Sequence, residues 1–433
     1  MENDKSFVVF IIPSLIFLAI TAIVVRIFAV NVPYRDEWFI IDFLHKAVVT
    51  HNLRLSDLFA QYNEHRFFLV RLIYLANYFI KPFDLIRLLY VNQLLIFASS
   101  CLTLLLIKKE IRLSLAISIL VSAENFLFAV QIAFILSNLF FLLAVFTLSK
   151  AMPDPFKYLI AFLFCALATL SSVWGLITFF ALFVLIVLTG LKKENMPSIT
   201  LAVKAIAWLA GTLIIFGLYF HGYVRPPDHP SPIFVVNHPL QTLYFLAAVI
   251  GAFPDYVLSK GAVEISMVLS GAIIAAAYIF FMFKKCRDYP VLLTLATYGM
   301  LSALLVTFGR SSFGIEQAAE SRYMICTMFL PLGVVLMASE HFKTRKSIII
   351  AASMVVLILA SLIAIPREMS AFQNRFATAK EGLRKILLNN DYSDEKRLRR
   401  LFLGPKSGRK SYIIKYKQLR IDLKDLDKGP RYL

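Results

Sequence analysis

The sequence predicts an all-α fold, a polytopic bundle of about 11 transmembrane helices with amphipathic helices in the first outer loop and a small basic C-terminal region. Two observations predict this class. Hydrophobic residues make up 59% of the 433-residue chain and charged residues 17%, fewer than the roughly 25% that a soluble domain carries. Apolar stretches of about 17–25 residues recur along the chain, and a helix of that length crosses a bilayer.

The predicted spans follow these apolar stretches in order. The first, 7–30, lacks a small-residue cleavage site and is too long for a signal-peptide core, so we expect it to be retained. Two others, 113–122 and 157–170, are short for a hydrocarbon core about 30 Å thick, which predicts bends at the membrane surface. The full set comprises residues 7–30, 86–107, 113–122, 126–149, 157–170, 174–190, 199–220, 262–283, 290–308, 323–339 and 347–365.

Short basic loops follow every second predicted span, and this pattern predicts the orientation. Under the positive-inside rule such loops are cytoplasmic, so we expect the N-terminus in the cytoplasm and the C-terminus outside. This orientation requires residues 64–84 to lie along the outer membrane surface instead of crossing it. The basic loops are residues 108–112, 150–157, 191–194, 283–287 and 342–346.

The spacing within 64–84 is typical of an interfacial amphipathic helix. Polar or amphipathic side chains recur every three or four residues opposite a face of large apolar ones. The first set is Arg71, Tyr74, Tyr78 and Lys81, and the second is Phe68, Leu72, Leu75 and Phe79.

The net charge of +18 is unevenly distributed. Residues 366–433 hold 18 Lys and Arg against 8 Asp and Glu, a net of +10, so we expect a basic outer-face tail after a membrane domain of residues 1–365. A basic tail can bind nucleic acid, but one tethered to a membrane favours anionic lipid head groups or an anionic glycan. The four cysteines form no Cys-x-x-Cys or Cys/His cluster, which argues against disulfides and a zinc site.

The remaining polar segments all map to the outer face in this orientation. We therefore expect an ionisable surface there, collected from distant parts of the chain and including a first outer loop of residues 31–85. These segments are residues 34–38, 61–68, 122–125, 171–175, 221–240 and 309–323.

Asp36 and Glu37, in the segment YRDEW (34–38), are the first candidates for catalysis. A carboxylate beside an apolar membrane surface has a raised proton affinity, which suits a general base. Adjacent side chains point in different directions, so we expect one of the two to face a substrate. The alternative is that the pair stabilises the N-terminus of an amphipathic stretch, 37–49, through the helix dipole.

The segment NEHR (63–66) is denser in polar groups. Asn63 can cap the following helix, and Glu64 then lies in its first turn, where an acid is favourable. His65 could donate a hydrogen bond to a hydroxyl, and Arg66 could bind an anion. A solvated helix start explains the same four residues equally well.

The segment GRSSFGIEQAAESRY (309–323) places Arg310, Glu316, Glu320 and Arg322 between two apolar stretches. Charges this close to hydrocarbon are costly and are functional candidates. The guanidinium fork matches phosphate oxygens, so two arginines suit a phosphate. The alternative is two internal salt bridges, Arg310 with Glu316 and Glu320 with Arg322.

Two further segments contribute candidates. Glu124 and Gln131 are seven residues apart and share a helix face, so they would line a cavity near the outer surface or form a buried interhelical hydrogen bond. The loop 221–240 contains three histidines, but their spacing fits no helical or finger-type metal site, and its prolines favour a rigid lid.

These motifs, in this order, resemble the GT-C superfamily of integral membrane glycosyltransferases. The segments YRDEW, NEHR, AENFLFAVQ, SSVWGL and GR…SRY are similar to those of a bacterial branch, the phage- and O-antigen-type glucosyltransferases that modify lipopolysaccharide. The resemblance covers residues 1–365. It does not cover the tail, 366–433.

The resemblance implies transfer of a sugar from a polyprenyl (undecaprenyl) phosphate to a glycan or glycolipid acceptor, with inversion, at the periplasmic face of a bacterial inner membrane. It implies no metal or other cofactor, no nucleic-acid partner, and contact with membrane lipids. The implied catalytic residues are Asp36, Glu37 and Glu64. The implied donor and phosphate ligands are His65, Arg66, Arg310, Arg322 and Tyr323. The implied pocket-lining residues are Trp38, Asn63, Glu124, Asn125, Gln131 and Glu320.

Two other functions compete with this prediction. A polytopic transporter or flippase for a lipid-linked or anionic sugar would place ionisable residues near the bilayer midplane and show internal repeats. The middles of the predicted spans are almost free of charge, and no repeated half is visible. Large arginine-bearing outer loops would favour an O-antigen polymerase or ligase, whereas the early RDEW segment favours a transferase of single sugars.

Overall fold

The structure is a computed structural model of the chain. It describes residues 15–16, 18–107, 127–192, 197–226, 233–255, 263–342, 344, 381–382, 384, 388 and 406–419. These residues form helices joined by turns, with one isolated antiparallel bridge between Tyr62 and His65. The predicted all-helical fold class is confirmed for the described part of the chain.

Helices of the N-terminal half combine short surface segments with long apolar ones. They are α1 (Leu18–Phe28), α2 (Phe39–Val48), α3 (Leu55–Leu58), α4 (Phe68–Ile80), α5 (Leu85–Leu106), α6 (Ile132–Leu148), α7 (Asp154–Ser171) and α8 (Trp174–Lys192). Local signals explain two of the starts. The carboxylate of Asp84 accepts a hydrogen bond from the backbone N–H of Arg87 (3.1 Å) at the start of α5, and Pro155 lies in the first turn of α7.

Helices of the C-terminal half continue the bundle. They are α9 (Ser198–Phe220), α10 (Ile233–Asn237), α11 (Pro239–Asp255), α12 (Val263–Lys284), α13 (Pro290–Arg310), α14 (Ser321–Thr327), α15 (Phe329–His341) and α16 (Lys406–Leu419). Short 3-10 helices precede or follow the long ones at Arg35–Trp38, Ala129–Gln131, Ser311–Phe313 and Ile315–Ala319.

Eight helices in the described ranges are long and apolar enough to cross a membrane, and the protein is accordingly a helical membrane protein. Each of these eight coincides with one of the predicted spans. The predicted spans 113–122 and 347–365 lie outside the described residues. The first predicted span, 7–30, is described as helix from Leu18 to Phe28.

The predicted short span 157–170 is a full-length helix. Helix α7 begins three residues earlier than its apolar stretch, at Asp154, and has 18 residues. Its apolar stretch is shorter than the helix because the first turn carries the charged side chains of Asp154 and Lys157. These two side chains form an ion pair at 2.7 Å.

Helix α4 separates its side chains into two faces as predicted, but its bounds are Phe68–Ile80 and not 64–84. Arg71, Tyr74 and Tyr78 are buried against the protein, while Phe79 and Ile80 are 72% and 75% exposed. The guanidinium of Arg71 donates to the backbone carbonyls of residues 58 and 60 at 3.0 and 2.7 Å. The charged group of the polar face is therefore satisfied inside the protein, whereas the Tyr74 hydroxyl is buried without a hydrogen-bond partner among the described residues. The apolar face is left for lipid.

Helix α11 was missed by the sequence analysis, which assigned residues 221–240 to a loop and gave 241–261 no structure. It packs closely against α12 because both carry glycine at the contact. A Cβ on Gly251 would lie 2.0 Å from the carbonyl oxygen of Met267, and one on Gly271 would lie 1.8 Å from that of Ala247. With 17 residues, α11 is shorter than a standard span.

The described part of the basic tail, helix α16, docks on the first outer loop. Tyr416 is fully buried and packs edge-to-face on Phe83 and Trp38, with ring centroids 4.9 and 5.8 Å apart. The Lys415 ammonium donates to a carboxylate oxygen of Asp42 at 2.6 Å. Helix α16 and the first outer loop therefore lie on the same side of the bundle.

The buried apolar side chains form two main clusters. One joins the end of α1, the first outer loop, α4, α5, residues 127–136 and α16. The other joins helices α6 to α9 and α11 to α15. The side chains of Phe134 and Ile325 pack against both clusters.

Docking of α16 predicts a stability effect at Tyr416. Replacing Tyr416 with Ala removes a fully buried aromatic ring and should lower the free energy of unfolding by about 3 kcal/mol. In detergent, we expect a clearly lower unfolding temperature. Ile414, on the same helix and 55% exposed, provides the matched control, since Ile414→Ala should leave that temperature nearly unchanged. Equal melting of the two variants would contradict the docking.

Candidate functional site

A cleft of about 500 Å³ opens where the two apolar clusters meet. Its walls combine carboxylates, arginines and aromatic rings drawn from separate parts of the chain. The lining residues are Asp36, Tyr62, Asn63, Glu64, His65, Phe67, Phe128, Val130, Gln131, Phe134, Trp174, Arg310, Arg322 and Tyr323.

The cleft lies at one end of the bundle, because its residues stand at helix ends. Gln131 is the third residue of the span Ala129–Leu148, and Trp174 and Arg322 are the first residues of two other spans. Arg310 is the last residue of α13. Tyr219, one residue from the end of α9, donates its hydroxyl to the backbone carbonyl of Glu64 at 3.0 Å.

The 3-10 helix Arg35–Trp38 is held in place by Glu37. This side chain is fully buried. One carboxylate oxygen accepts the backbone N–H of Tyr34 at 2.8 Å, and the other accepts that of Ala129 at 2.7 Å. These two hydrogen bonds fix the first outer loop against the start of α6.

Asp36, the neighbouring acid, faces the cleft. It lines the wall and is partly exposed. Tyr62 donates its hydroxyl to Asp36 Oδ1 at 2.7 Å, and the Tyr62 ring stacks on Phe39 with centroids 4.5 Å apart. Burial, together with the nearby Asp36 charge, raises the pKa of Tyr62 well above its usual value, so Tyr62 remains a hydrogen-bond donor. This arrangement answers which of the adjacent acids faces the cleft.

Residues 62–65 form a tight turn and not the helix start that the sequence analysis predicts. Backbone hydrogen bonds of 2.8 and 2.9 Å join Tyr62 and His65 in both directions. Asn63 has φ +50°, a left-handed conformation that asparagine tolerates better than most residues. The prediction that Asn63 caps a helix is therefore wrong, since α4 begins only at Phe68.

Glu64 and Arg310 form an ion pair across the cleft. A guanidinium N–H of Arg310 donates to Glu64 Oε1 at 2.6 Å. The Nε–H of Arg310 donates to the hydroxyl of Tyr323 at 3.0 Å. The carboxylate paired with Arg310 is therefore Glu64 and not Glu316, so that part of the salt-bridge alternative is wrong.

Arg322 lines the cleft beside this pair. Its guanidinium lies over the Tyr323 ring, 5.1 Å from the centroid. No ion pair joins Arg322 to Glu320 in the described part of the chain. The helix that carries Arg322, α14, is held against α6, because the side-chain amide of Asn138 donates to the backbone carbonyl of Ile325 at 2.8 Å.

The side chain of Arg66 binds backbone carbonyls of neighbouring segments. Its guanidinium donates to three backbone carbonyls, those of Phe59, Tyr219 and His221, at 2.9, 2.6 and 2.5 Å. These bonds satisfy carbonyls at the end of α9 and tie that end to the turn at residues 62–65. The geometry favours scaffolding over the predicted binding of a donor phosphate.

Three aromatic rings stand nearly parallel in the cleft wall. Trp174 stacks with His65 and with Tyr323 at interplanar angles of 22° and 20°. The position of Trp174 depends on the next residue. A Cβ on Gly175 would lie 2.0 Å from the backbone nitrogen of Thr169, so only glycine permits the start of α8 to approach the end of α7 this closely.

The cleft gathers eight of the predicted site residues: Asp36, Asn63, Glu64, His65, Gln131, Arg310, Arg322 and Tyr323. Four others lie outside its lining: Glu37, Trp38, Arg66 and Glu320. Trp38 packs on α16, and Glu320 precedes α14 as its N-cap residue. Glu124 and Asn125 lie outside the described residues.

Sequence reasoning missed six residues of the cleft: the apolar Phe67, Phe128, Val130 and Phe134, and two that carry polar groups, Tyr62 and Trp174. Tyr62 and Trp174 lie inside motifs that the sequence analysis singled out, next to the charged residues that drew attention. Their signal was weak because aromatic residues are abundant in a membrane protein. Within the described ranges, no group of three His, Cys, Asp or Glu side chains is arranged to hold a metal ion.

Comparison of the chain with protein-family models, with curated proteins and with solved structures finds no match. The chemistry of the cleft must therefore be argued from its own residues. A partly exposed carboxylate can accept a proton, two arginines can hold an anion, and aromatic faces can pack on the apolar face of a ligand.

The close approach at Gly175 predicts a large effect of a single methyl group. Gly175→Ala should force α8 away from α7, move Trp174 and lower the unfolding temperature in detergent. Gly217 is the matched control, because a Cβ there meets nothing within 4 Å, and Gly217→Ala in mid-helix should be neutral or slightly stabilising. Tryptophan fluorescence should shift only in Gly175→Ala. Unchanged melting and fluorescence there would refute the packing argument.

Proposed function

We propose that this protein is a membrane glycosyltransferase of the GT-C type. It transfers a sugar from a polyprenyl-phosphate-linked donor to a cell-envelope glycan acceptor, such as O-antigen or lipopolysaccharide, by inverting displacement. One observation supports the proposal most strongly. A carboxylate, Asp36, shares one cleft with two arginines, Arg310 and Arg322, at the end of a bundle of membrane-spanning helices.

Asp36 is the proposed general base. Its Oδ1 is held by the Tyr62 hydroxyl at 2.7 Å, which leaves Oδ2 to accept the proton of an acceptor hydroxyl. The deprotonated hydroxyl attacks the anomeric carbon, and the bond from that carbon to the phosphate oxygen breaks on the opposite face. Attack from the opposite face inverts the configuration at that carbon.

The arginines are the proposed phosphate ligands. Negative charge grows on the departing polyprenyl phosphate in the transition state, and fixed guanidinium groups stabilise it. Arg310 is oriented by Glu64 at 2.6 Å and by Tyr323 at 3.0 Å. Arg322 lines the same cleft, so both guanidinium groups hold the phosphate in this mechanism.

The lipid chain of the donor has an apolar path to the cleft. Only 11% of the apolar window of α9 is buried within the protein, so this helix presents its side chains to lipid. The end of α9 reaches the cleft turn through Tyr219. A polyprenyl chain can therefore lie along α9 in the bilayer while its phosphate enters the cleft.

The proposed location is a bacterial inner membrane, with the cleft and α16 on the periplasmic side and the N-terminus in the cytoplasm. The support comes from the short basic loops, such as residues 283–287, which lie at the opposite end of α13 from Arg310. A transporter or flippase is less well supported, because the charged residues of the cleft stand at helix ends and not at mid-span.

A transfer assay tests the proposed chemistry. Membranes containing the protein are incubated with a panel of polyprenyl-phosphate sugars and an envelope glycan acceptor, and transfer is measured. Asp36→Asn should lower kcat by about 10²- to 10⁴-fold through loss of the base. Arg322→Ala should lower kcat by about 10²- to 10³-fold through loss of charge stabilisation.

Matched controls come from the other end of α13. Arg287 and Asp288 are adjacent in the sequence, and both are exposed. Because they lie away from the cleft, Arg287→Ala and Asp288→Asn should retain full transfer. Transfer that survives both cleft substitutions would overturn the site. Movement of an intact lipid-linked sugar across vesicles, without transfer to acceptor, would favour the flippase.

The proposed orientation can be tested by thiol labelling in a Cys286→Ser background. Val224 lies near the cleft and is 72% exposed, whereas the Asp288 side chain, at the far end of α13, is 52% exposed. A membrane-impermeant maleimide should label Val224→Cys in spheroplasts and Asp288→Cys only in inverted vesicles. Labelling of both positions from one side would refute the orientation.

A further inference from the structure

Two polar side chains in the cleft wall have a buried atom without a hydrogen-bond partner. Gln131 is 1% exposed and Trp174 is 4% exposed. In the described part of the chain, the Gln131 Oε1 acceptor and the Trp174 Nε1–H donor make no hydrogen bond. Both residues line the cleft.

A buried polar group without a partner is destabilising by roughly 1–3 kcal/mol, and the described residues hold others outside the cleft, such as Gln93 Oε1 and Ser302 Oγ. Gln131 and Trp174 differ from these because they line the cleft. Helix capping and packing explain neither atom. The backbone N–H of Gln131 is already bonded to the carbonyl of Phe128, and the Trp174 ring packs edge-on against Phe134 with centroids 4.9 Å apart. The two unused groups are complementary, one an acceptor and the other a donor.

The chemistry of a ligand follows from this complementarity. A hydroxyl group donates one hydrogen bond and accepts others, so hydroxyls satisfy both atoms. A carboxylate satisfies only the donor, and an ammonium group satisfies only the acceptor. Neither Gln131 nor Trp174 carries a charge, and one acid and one base of the wall, Glu64 and Arg310, pair with each other.

The surrounding surface fits a sugar ring. Trp174 stands between the rings of His65 and Tyr323, at centroid distances of 6.0 and 6.4 Å. Aromatic faces pack on the apolar C–H face of a pyranose while hydrogen bonds form around its edge. Both unused atoms are shielded from water in this arrangement, so binding of a sugar to them requires that surrounding side chains move aside.

We propose that Gln131 and Trp174 form the sugar-reading part of the cleft and select an uncharged pyranose through its ring hydroxyls. This inference rests on the proposed transferase function and narrows its substrate class. Donors that carry a carboxylate or an amine at the recognised position are rejected, because each leaves one of the two buried atoms unsatisfied.

The test combines two variants with two series of probes. Gln131→Met removes the acceptor at similar volume, and Trp174→Phe removes the donor. Glucose, its monodeoxy analogues, glucuronic acid and glucosamine are presented as polyprenyl-phosphate donors for transfer. The same sugars are presented as soluble 1-phosphates for binding, which is followed by the shift in unfolding temperature. Controls are Gln93→Met and Trp208→Phe, which change a buried glutamine and a buried tryptophan outside the cleft.

We expect each cleft variant to lower kcat/KM roughly 10- to 100-fold for the parent hexose. The penalty should fall below about threefold with the one deoxy analogue that lacks the hydroxyl read by that residue. The wild-type protein should discriminate against the charged sugars in both series. Equal penalties across all neutral donors, or preference for glucuronic acid or glucosamine, would overturn the proposal.

The two series separate this inference from the proposed function. The 1-phosphates could bind in a hydroxyl-dependent way that both cleft variants lose, while no donor supports transfer. That result would sustain the sugar site and refute the transferase. Transfer with no dependence on Gln131 or Trp174 would sustain the transferase and refute the sugar site.

Discussion

A buried carboxylate, that of Glu37, supports the geometry of the whole cleft. Burying a charge is costly unless it is paired or hydrogen-bonded. Here both oxygens accept backbone N–H groups, from Tyr34 and Ala129, at 2.8 and 2.7 Å. Charge-assisted bonds of this kind are the strong ones. They join the 3-10 helix of Asp36 to the 3-10 helix of Gln131, so one side chain positions both the proposed base and the proposed sugar-reading residue.

The turn at residues 62–65 provides one side chain that holds the proposed base and another that holds a proposed phosphate ligand. Tyr62 holds the carboxylate of Asp36, and Glu64 holds the guanidinium of Arg310. Arg66 fixes the turn to the end of α9 through backbone carbonyls. A displacement of this turn would therefore move the base and the phosphate ligand together, which couples two groups that different helices carry.

Hydropathy alone predicted all eight spans of the described chain, because lipid imposes a length and a polarity on each helix. It missed α11, which has 17 residues and whose packing on α12 depends on glycines in both helices. Charge near hydrocarbon identified much of the cleft, including Arg310 and Arg322. Local patterns could not separate the roles of Asp36 and Glu37, because the partners that decide them come from distant segments. The Arg310 partner, Glu64, lies 246 residues away in sequence.

The docking of α16 has a consequence for the biogenesis of the protein. Lys415 and Asp42, which are in contact, are 373 residues apart along the chain. The helix that covers Trp38 is therefore synthesised long after the outer loop that carries Asp36. Until the helices between them have been made and inserted, the apolar side of this loop lacks its packing partner. We therefore expect this loop to reach its final packing only after those helices are in the membrane.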